Sequence, residues 1–349
     1  MSSSYIPGDR PAKPHRICLE NVETLYADGR WNGRPTFVFW RDEYYIAFRS
    51  SLSHDTVDDE MGKVLMLKST DLKDWKVSTV IDDPEIDGAE PLLLGTDDRL
   101  YMYIVAENPI TTTFMTYSED GVEWAKPVKC FDDGFSFNTP VTHKGIHYGA
   151  LDYADAQRAP LPGESSTGYV DLMQSTDGLE WTKVSRIVED GTETALVFLK
   201  DDTLLTVIRQ GWVTKAKPPY TDWQVVDSKE VGLGGPDAAL VGNTVLVAGR
   251  HCAQTTLMKL HPDTMSLDFI MDMPIHNVKA QPTCSIAEPM ADTEIASTEE
   301  HVWPMGDKAY PEFLVLDDHN VLMAYYDGQS FEAGVPKQVD IRLATITVH

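Results

Sequence analysis

One phrase recurs six times along the chain and constrains the fold more than any other feature. It is a short polar cluster, an apolar strand, a polar turn, and a second apolar or aromatic strand that ends on a charged residue. The copies are GRPTFVFWRDEYYIAFR (33–49), AEPLLLGTDDRLYMYIVAE (89–107), NTPVTHKGIHYGALD (138–152), TETALVFLKDDTLLTVIR (192–209), GPDAALVGNTVLVAGR (235–250) and YPEFLVLDDHNVLMAYYD (310–327). Each predicts a β-hairpin, because Val, Ile, Leu, Tyr and Phe flank turn pairs such as Asp97-Asp98, Lys144-Gly145, Asp201-Asp202 and Asp317-Asp318. Self-similarity on this scale marks a repeat architecture, in which each unit buries its apolar faces against its neighbours.

A second signal lies between the phrases: Ser-x-Asp-[Gly/Leu]-x-x-Trp at Ser69–Trp75, Ser118–Trp124 and Ser175–Trp181, with a worn copy at Tyr220–Trp223. Asp accepts local backbone hydrogen bonds, Gly or Leu rounds the corner, and Trp packs between repeats, so the motif predicts the turn joining two outer strands. With the segments Lys76–Ile81 and Thr182–Val188, each repeat holds four strands in about 50 residues, the unit of a β-propeller blade. Thr255–Leu260 and Leu267–Met271 supply outer strands of the fifth repeat, followed by an insertion at 275–305; Val339–Val348 with Ile17–Leu25 can close the ring. No window sustains helical periodicity. The expectation is an all-β, six-bladed propeller of four-stranded antiparallel blades, with five blades as the alternative. Residues 1–16 form a loose arm, and 17–349 form one propeller domain.

Composition narrows the function classes. The formal net charge of −26 repels nucleic acid and anionic membranes, so neither is an expected partner. No stretch approaches the roughly 18 apolar residues of a membrane span. The segment Met1–Pro7 has no basic n-region or apolar h-region. The expected location is therefore cytoplasmic for the chain as given, and secreted or periplasmic if a leader was removed. Cys18, Cys130, Cys252 and Cys284 lie far apart without CxxC spacing and are expected to be reduced core thiols. No metal or cofactor motif is present. His143 and His147 stand about 13 Å apart if both lie on one strand, too far for one metal; these two are expected in solvent-facing or satisfied core positions, and His251 beside Arg250 is the best candidate for a chemical role.

In a propeller the first strand of each blade lines the axis and the hairpin returns the second to the same rim. That rim carries Arg34, Arg49, Glu90, Glu107, Asn138, Asp152, Glu193, Arg209, Asp237, Arg250, Tyr310, Glu312 and Asp327. Four of these are Arg in a chain with 29 basic and 55 acidic residues. Such a cluster is a candidate anion site, since guanidinium grips carboxylate through a planar fork.

Here the sequence resembles the sialidase superfamily over most of residues 30–330, with turns similar to its Asp boxes. Gly33-Arg34-Pro35-Thr36 stands where the family has Arg-Ile-Pro. Glu193–Arg209 is similar to its fourth-blade hairpin, Arg250 to its third Arg, Tyr310 to its nucleophile, and Asp327 to the acid that braces the first Arg. The turn motif is one residue shorter than the family form. The resemblance implies a glycoside hydrolase. Arg34, Arg209 and Arg250 would hold the carboxylate of a terminal sugar, and Glu193 would take the proton of nucleophilic Tyr310. Asp55, Asp58 or Asp59 would serve as the loop acid, while Arg49, Glu90, Asp237 and Asp327 complete the substrate-binding rim. The short turn motif also resembles five-bladed furanosidases, whose acidic residues Glu90, Glu193 and Asp237 or Glu312 could supply. Two further alternatives are a propeller acting on uronic acid or rhamnose polysaccharide, and a non-catalytic carbohydrate-binding propeller.

Overall fold

The computed structural model describes residues 16–54, 60–153, 168–209, 211–228, 231–251, 254–274, 283–286, 288–289, 307–332 and 335–349. Among these residues there is no α-helix, and the strands form a propeller-like set of four-stranded antiparallel sheets. Strand β1 (Arg16–Tyr26) joins the last of them. Sheet I is β2 (Trp31–Trp40), β3 (Glu43–Ser51), β4 (Lys63–Ser69) and β5 (Lys76–Ile81). Sheet II is β6 (Glu90–Gly95), β7 (Leu100–Ala106), β8 (Thr112–Ser118) and β9 (Val128–Lys129). Sheet III is β10 (Phe135–His143), β11 (Ile146–Tyr153), β12 (Tyr169–Ser175) and β13 (Thr182–Val188). Sheet IV is β14 (Thr194–Phe198), β15 (Leu204–Ile208), β16 (Trp212–Ala216) and β17 (Gln224–Asp227). Sheet V is β18 (Gly234–Val241), β19 (Thr244–His251), β20 (Gln254–His261) and β21 (Ser266–Asp272). Two short strands follow, β22 (Thr283–Ile286) on the free edge of β1 and β23 (Glu288–Pro289) on the free edge of β21. Sheet VI is β24 (Asp307–Val315), β25 (Asn320–Glu332), β26 (Val335–Val348) and, outermost, β1.

Each of the six repeated phrases is the first hairpin of one sheet. The first strands touch in the order β2, β6, β10, β14, β18, β24, and β24 in turn lies against β2. Six apolar clusters sit between consecutive sheets, from I/II (Ile104 against Met66) round to VI/I (Tyr326 against Trp31). Second strands are therefore covered on both faces. Every residue of β7 and of β15 is buried, which is why these strands read as unbroken apolar runs rather than alternating ones. Fourth strands such as β9 and β17 face water, and their residues are mostly exposed.

The Ser-x-Asp motifs join third to fourth strands, as expected. In the second copy Asp120 Oδ1 accepts from the amides of Val122 (2.8 Å) and Glu123 (2.9 Å). Gly121 turns the corner at φ +75°, where an added Cβ would stand 2.4 Å from the Tyr45 hydroxyl. The following Trp reaches the preceding sheet: Trp124 Nε1 donates to Thr79 Oγ1 (3.1 Å), and Trp181 packs edge-on to Tyr103.

Residues 1–15 of the expected arm lie outside the described residues, while Arg16 opens β1 and exchanges backbone hydrogen bonds with His349. The cysteine reading is corrected. Cys18 and Cys284 form a disulfide across 266 positions, because they are direct partners in the β1–β22 register. Sequence spacing carries no information about cysteines that strand pairing brings together. Cys130 is a thiol that burial pushes up to about 12; Cys252 lies outside the described residues.

Candidate active site

The site starts from a local backbone device. At the head of each inner strand one residue occupies the same place: Arg34, Glu90, Thr139, Glu193, Gly235 and Tyr310, all but Glu193 followed by proline. Five of the six adopt the left-handed region, with φ of 53° at Arg34, 42° at Thr139, 43° at Glu193, 52° at Gly235 and 42° at Tyr310. The ladder slips beside four of them, between Gly33 and Thr36, Asn138 and Val141, Gly234 and Asp237, and Ala309 and Glu312. These are β-bulges, which re-aim a side chain at the cost of pairing. Proline suits the unpaired position, having no N–H to leave orphaned. A non-glycine residue held this way costs about 1 kcal/mol or more, and such strain concentrates where chemistry is arranged.

On this ring the Tyr310 hydroxyl donates to Glu193 Oε1 at 2.6 Å. Arg209 Nη1 donates to the same oxygen, and the Gly235 amide donates to Glu193 Oε2 at 2.7 Å. The guanidinium carbons of Arg34 and Arg250 lie 5.3 and 5.7 Å from the centre of the Tyr310 ring. The structure thus brings Arg34, Arg209, Arg250, Glu193 and Tyr310 together. Burial, then the charge of Glu193, pushes the phenol up against the pull of the three Arg. Burial alone would raise the Glu193 carboxyl. Arg209, the Tyr310 hydroxyl and the Gly235 amide outweigh it and bring Glu193 down to about 2. The resting pair is therefore a neutral phenol on an ionised carboxylate.

Around this pair stand carboxyl groups with the opposite tendency. A small cavity between the inner strands is lined by Glu90, Asn138, Thr139, Glu193, Tyr310 and Glu312, together with prolines of the bulges. Burial pushes Glu90 up to about 7 despite Arg34, and pushes Asp237 to about 7 despite the amides of Phe313 and Ala238. Glu312 is raised by burial and by Asp237 and Glu90, and Asp152, bonded to Asn138, is raised by burial and by Glu193. An acid whose folded pKa is raised supports the fold below its unfolded value and loses that support as pH rises through the folded one. Stability is therefore expected to fall between about pH 4 and pH 7. Asp237→Asn keeps an oxygen for the Phe313 amide (2.7 Å). It should be more stable than the parent at pH 8, by on the order of 2 kcal/mol, but not at pH 4. Urea unfolding at the two pH values checks this, and an unchanged difference between them would refute it.

The other rim residues are placed as follows. Arg49 is turned away into a buried ion pair, Nη1 to Asp87 Oδ1 at 2.6 Å, with each side chain 1% exposed. Asp327 faces Lys308 (3.7 Å), and the acid on Arg34 is Glu107, at 2.5 Å. The brace expected from Asp327 is thus supplied by Glu107, the residue just after β7. His54 Nε2 lies 3.3 Å from Arg34 Nη2. Asp55, Asp58 and Asp59 lie outside the described residues. His143 stacks on Phe198 and pairs with Asp202, His147 bonds Thr142, and His251 is buried. Sequence reasoning missed Gly235, whose signal was a glycine where the other phrases carry a side chain. A larger cavity of about 1170 Å³ opens at the turn ends of sheets I to III, lined by Trp40, Arg41, Asp97, Tyr101 and His147 among others, and contains none of the ring residues.

No protein-family model matches the chain, and no curated protein sequence matches it either. Solved structures do. A protein of unknown function from Dyadobacter fermentans aligns with a TM-score of 0.67 at 16% identity, covering 99% of this chain and 100% of that one. A mutant of Trypanosoma rangeli sialidase displaying trans-sialidase activity aligns at 0.60 and 12%, covering 95% of this chain. This chain spans 58% of that sialidase chain. An alpha-L-arabinofuranosidase from Fusarium graminearum aligns at 0.59 and 12%, covering 93% and 96%. The chain therefore has a propeller-type fold similar to that of glycoside hydrolases of more than one specificity.

Proposed function

We propose that the chain is a glycoside hydrolase built as a closed six-bladed propeller, cleaving a terminal, carboxylate-bearing sugar with Tyr310 as nucleophile. The observation that carries this is the 2.6 Å hydrogen bond from the Tyr310 hydroxyl to Glu193 inside a ring of three Arg. A phenol with an ordinary pKa of about 10 needs an adjacent base to attack. With Glu193 near 2, the proton stays on Tyr310 until the anomeric carbon gains positive charge. It then passes to Glu193 Oε1 as the phenol oxygen bonds to that carbon. The glycosidic C–O bond breaks, and a carboxylic acid of the 55–59 segment gives its proton to the departing oxygen. Water later cleaves the tyrosyl–sugar bond, with that carboxylate taking its proton and Glu193 returning the first proton to the departing phenol oxygen. A neutral nucleophile avoids setting a carboxylate against an anionic sugar.

One observation favours a second reading. Among the described residues, the small cavity of the ring is lined by three carboxyl groups, Glu90, Glu193 and Glu312, and by no Arg. Such a lining suits the hydroxyls of a neutral pentofuranose, and the arabinofuranosidase is nearly as long as this chain. Chromogenic sialoside, uronide, arabinofuranoside and fucoside separate the readings. The first expects cleavage of sialoside or uronide, with Arg250→Ala weakening it about 100-fold. Cleavage of arabinofuranoside alone would replace it by the second, and cleavage of none, with binding of a glycan retained, would leave a carbohydrate-binding propeller. The Cys18–Cys284 disulfide supports an oxidising compartment.

A further inference from the structure

Glu193 belongs to sheet IV and Tyr310 to sheet VI, so the hydrogen bond between them crosses the head of sheet V. The ring position there is Gly235, the one place of the six without a side chain. We propose that Gly235 is a positioning residue. Its empty place lets the phenol cross sheet V, while its amide holds the carboxylate that the phenol meets. A Cβ built on Gly235 would lie 2.6 Å from Tyr310 Cγ and 2.7 Å from both Cδ atoms, inside the ring's contact surface. The ring has to move for such a Cβ to fit. Tyr326 stacks 6.0 Å away, and Arg34 and Arg250 lie against the ring as well. Meanwhile the Gly235 amide holds Glu193 Oε2 at 2.7 Å, leaving Oε1 to the phenol and Arg209. The φ of +52°, which glycine adopts without cost, points that amide inward.

The catalytic consequence rests on the glycosidase reading; the geometric claim does not. Gly235→Ala is expected to lower kcat about 100-fold, the scale of an ångström-sized displacement of a reacting group, with a much smaller change in KM. Because alanine also dislikes a positive φ, the variant is made in two backgrounds. With Tyr310 present, Gly235→Ala should lower Tm markedly. With Tyr310→Ala the added methyl has nothing to strike, and the remaining loss reports the backbone alone. A crystal structure of Gly235→Ala should show the phenol displaced from Glu193. Equal Tm losses in both backgrounds, or an intact Tyr310–Glu193 contact in the variant, would overturn the proposal. If the parent cleaves no glycoside, the functional reading falls, and the Tm comparison and the structure still decide the role of Gly235.

Discussion

Replacing Tyr310 by Phe is expected to lower glycoside cleavage by about 1000-fold or more while leaving the protein folded. Phe keeps the ring that packs on Tyr326 and lies under Arg34 and Arg250. It removes only the oxygen that would form the covalent bond. Glu193 stays anchored by Arg209 and the Gly235 amide, so no buried charge is stranded and the stability change should stay near 1 kcal/mol. Initial rates on the best chromogenic substrate, with urea unfolding alongside, make the measurement. Activity within tenfold of the parent would remove Tyr310 from the chemistry and return attention to Glu90, Glu193 and Glu312 as the acid set of a two-carboxylate enzyme.

The second large effect concerns stability. Asp87→Ala strands the Arg49 guanidinium, since Asp87 Oδ1 accepts both Arg49 Nη1 (2.6 Å) and the Gly62 amide (2.7 Å). Removing one member of a buried pair costs about 3–5 kcal/mol, because the remaining charge has left water without compensation. For a chain of this length that lowers Tm by about 5 °C. The double variant Asp87→Leu, Arg49→Met should recover much of the loss, because neither charge is then buried. Thermal melts of the parent and both variants test this. A single-variant loss below about 1 kcal/mol would mean that water or another group reaches Arg49.

The two results would also divide the rim into residues that act and residues that hold. Sequence alone could not draw that division. All six hairpins were legible because each phrase carries its own turn residues, and in sheets I, III and V the turn has just two residues, which fixes register without help from elsewhere. Glu193, Tyr310 and the three Arg were legible because hairpin ends must share a rim. Arg49 is also at a hairpin end, yet its direction is decided by Asp87, a loop residue outside every phrase. Asp327 lost its expected partner in the same way, to Lys308. The disulfide depended on β22, a four-residue strand within the 275–305 insertion, which no periodicity announces. Proline after five ring positions was visible, but its meaning at four of them, a bulge that re-aims the preceding residue, is a property of the backbone.

The ring draws one residue from each sheet, from Arg34 near the beginning to Tyr310 near the end, and the outermost strand of the last sheet is the first strand of the chain. The Tyr310–Glu193 contact therefore joins residues 117 positions apart. During synthesis the early sheets must wait, with Glu193 and the Arg facing an incomplete rim, until the last hairpin emerges and β26 finds β1. A chain that stops before Tyr310 lacks the Tyr310–Glu193 contact, so under the proposed function such a shortened chain is expected to be inactive.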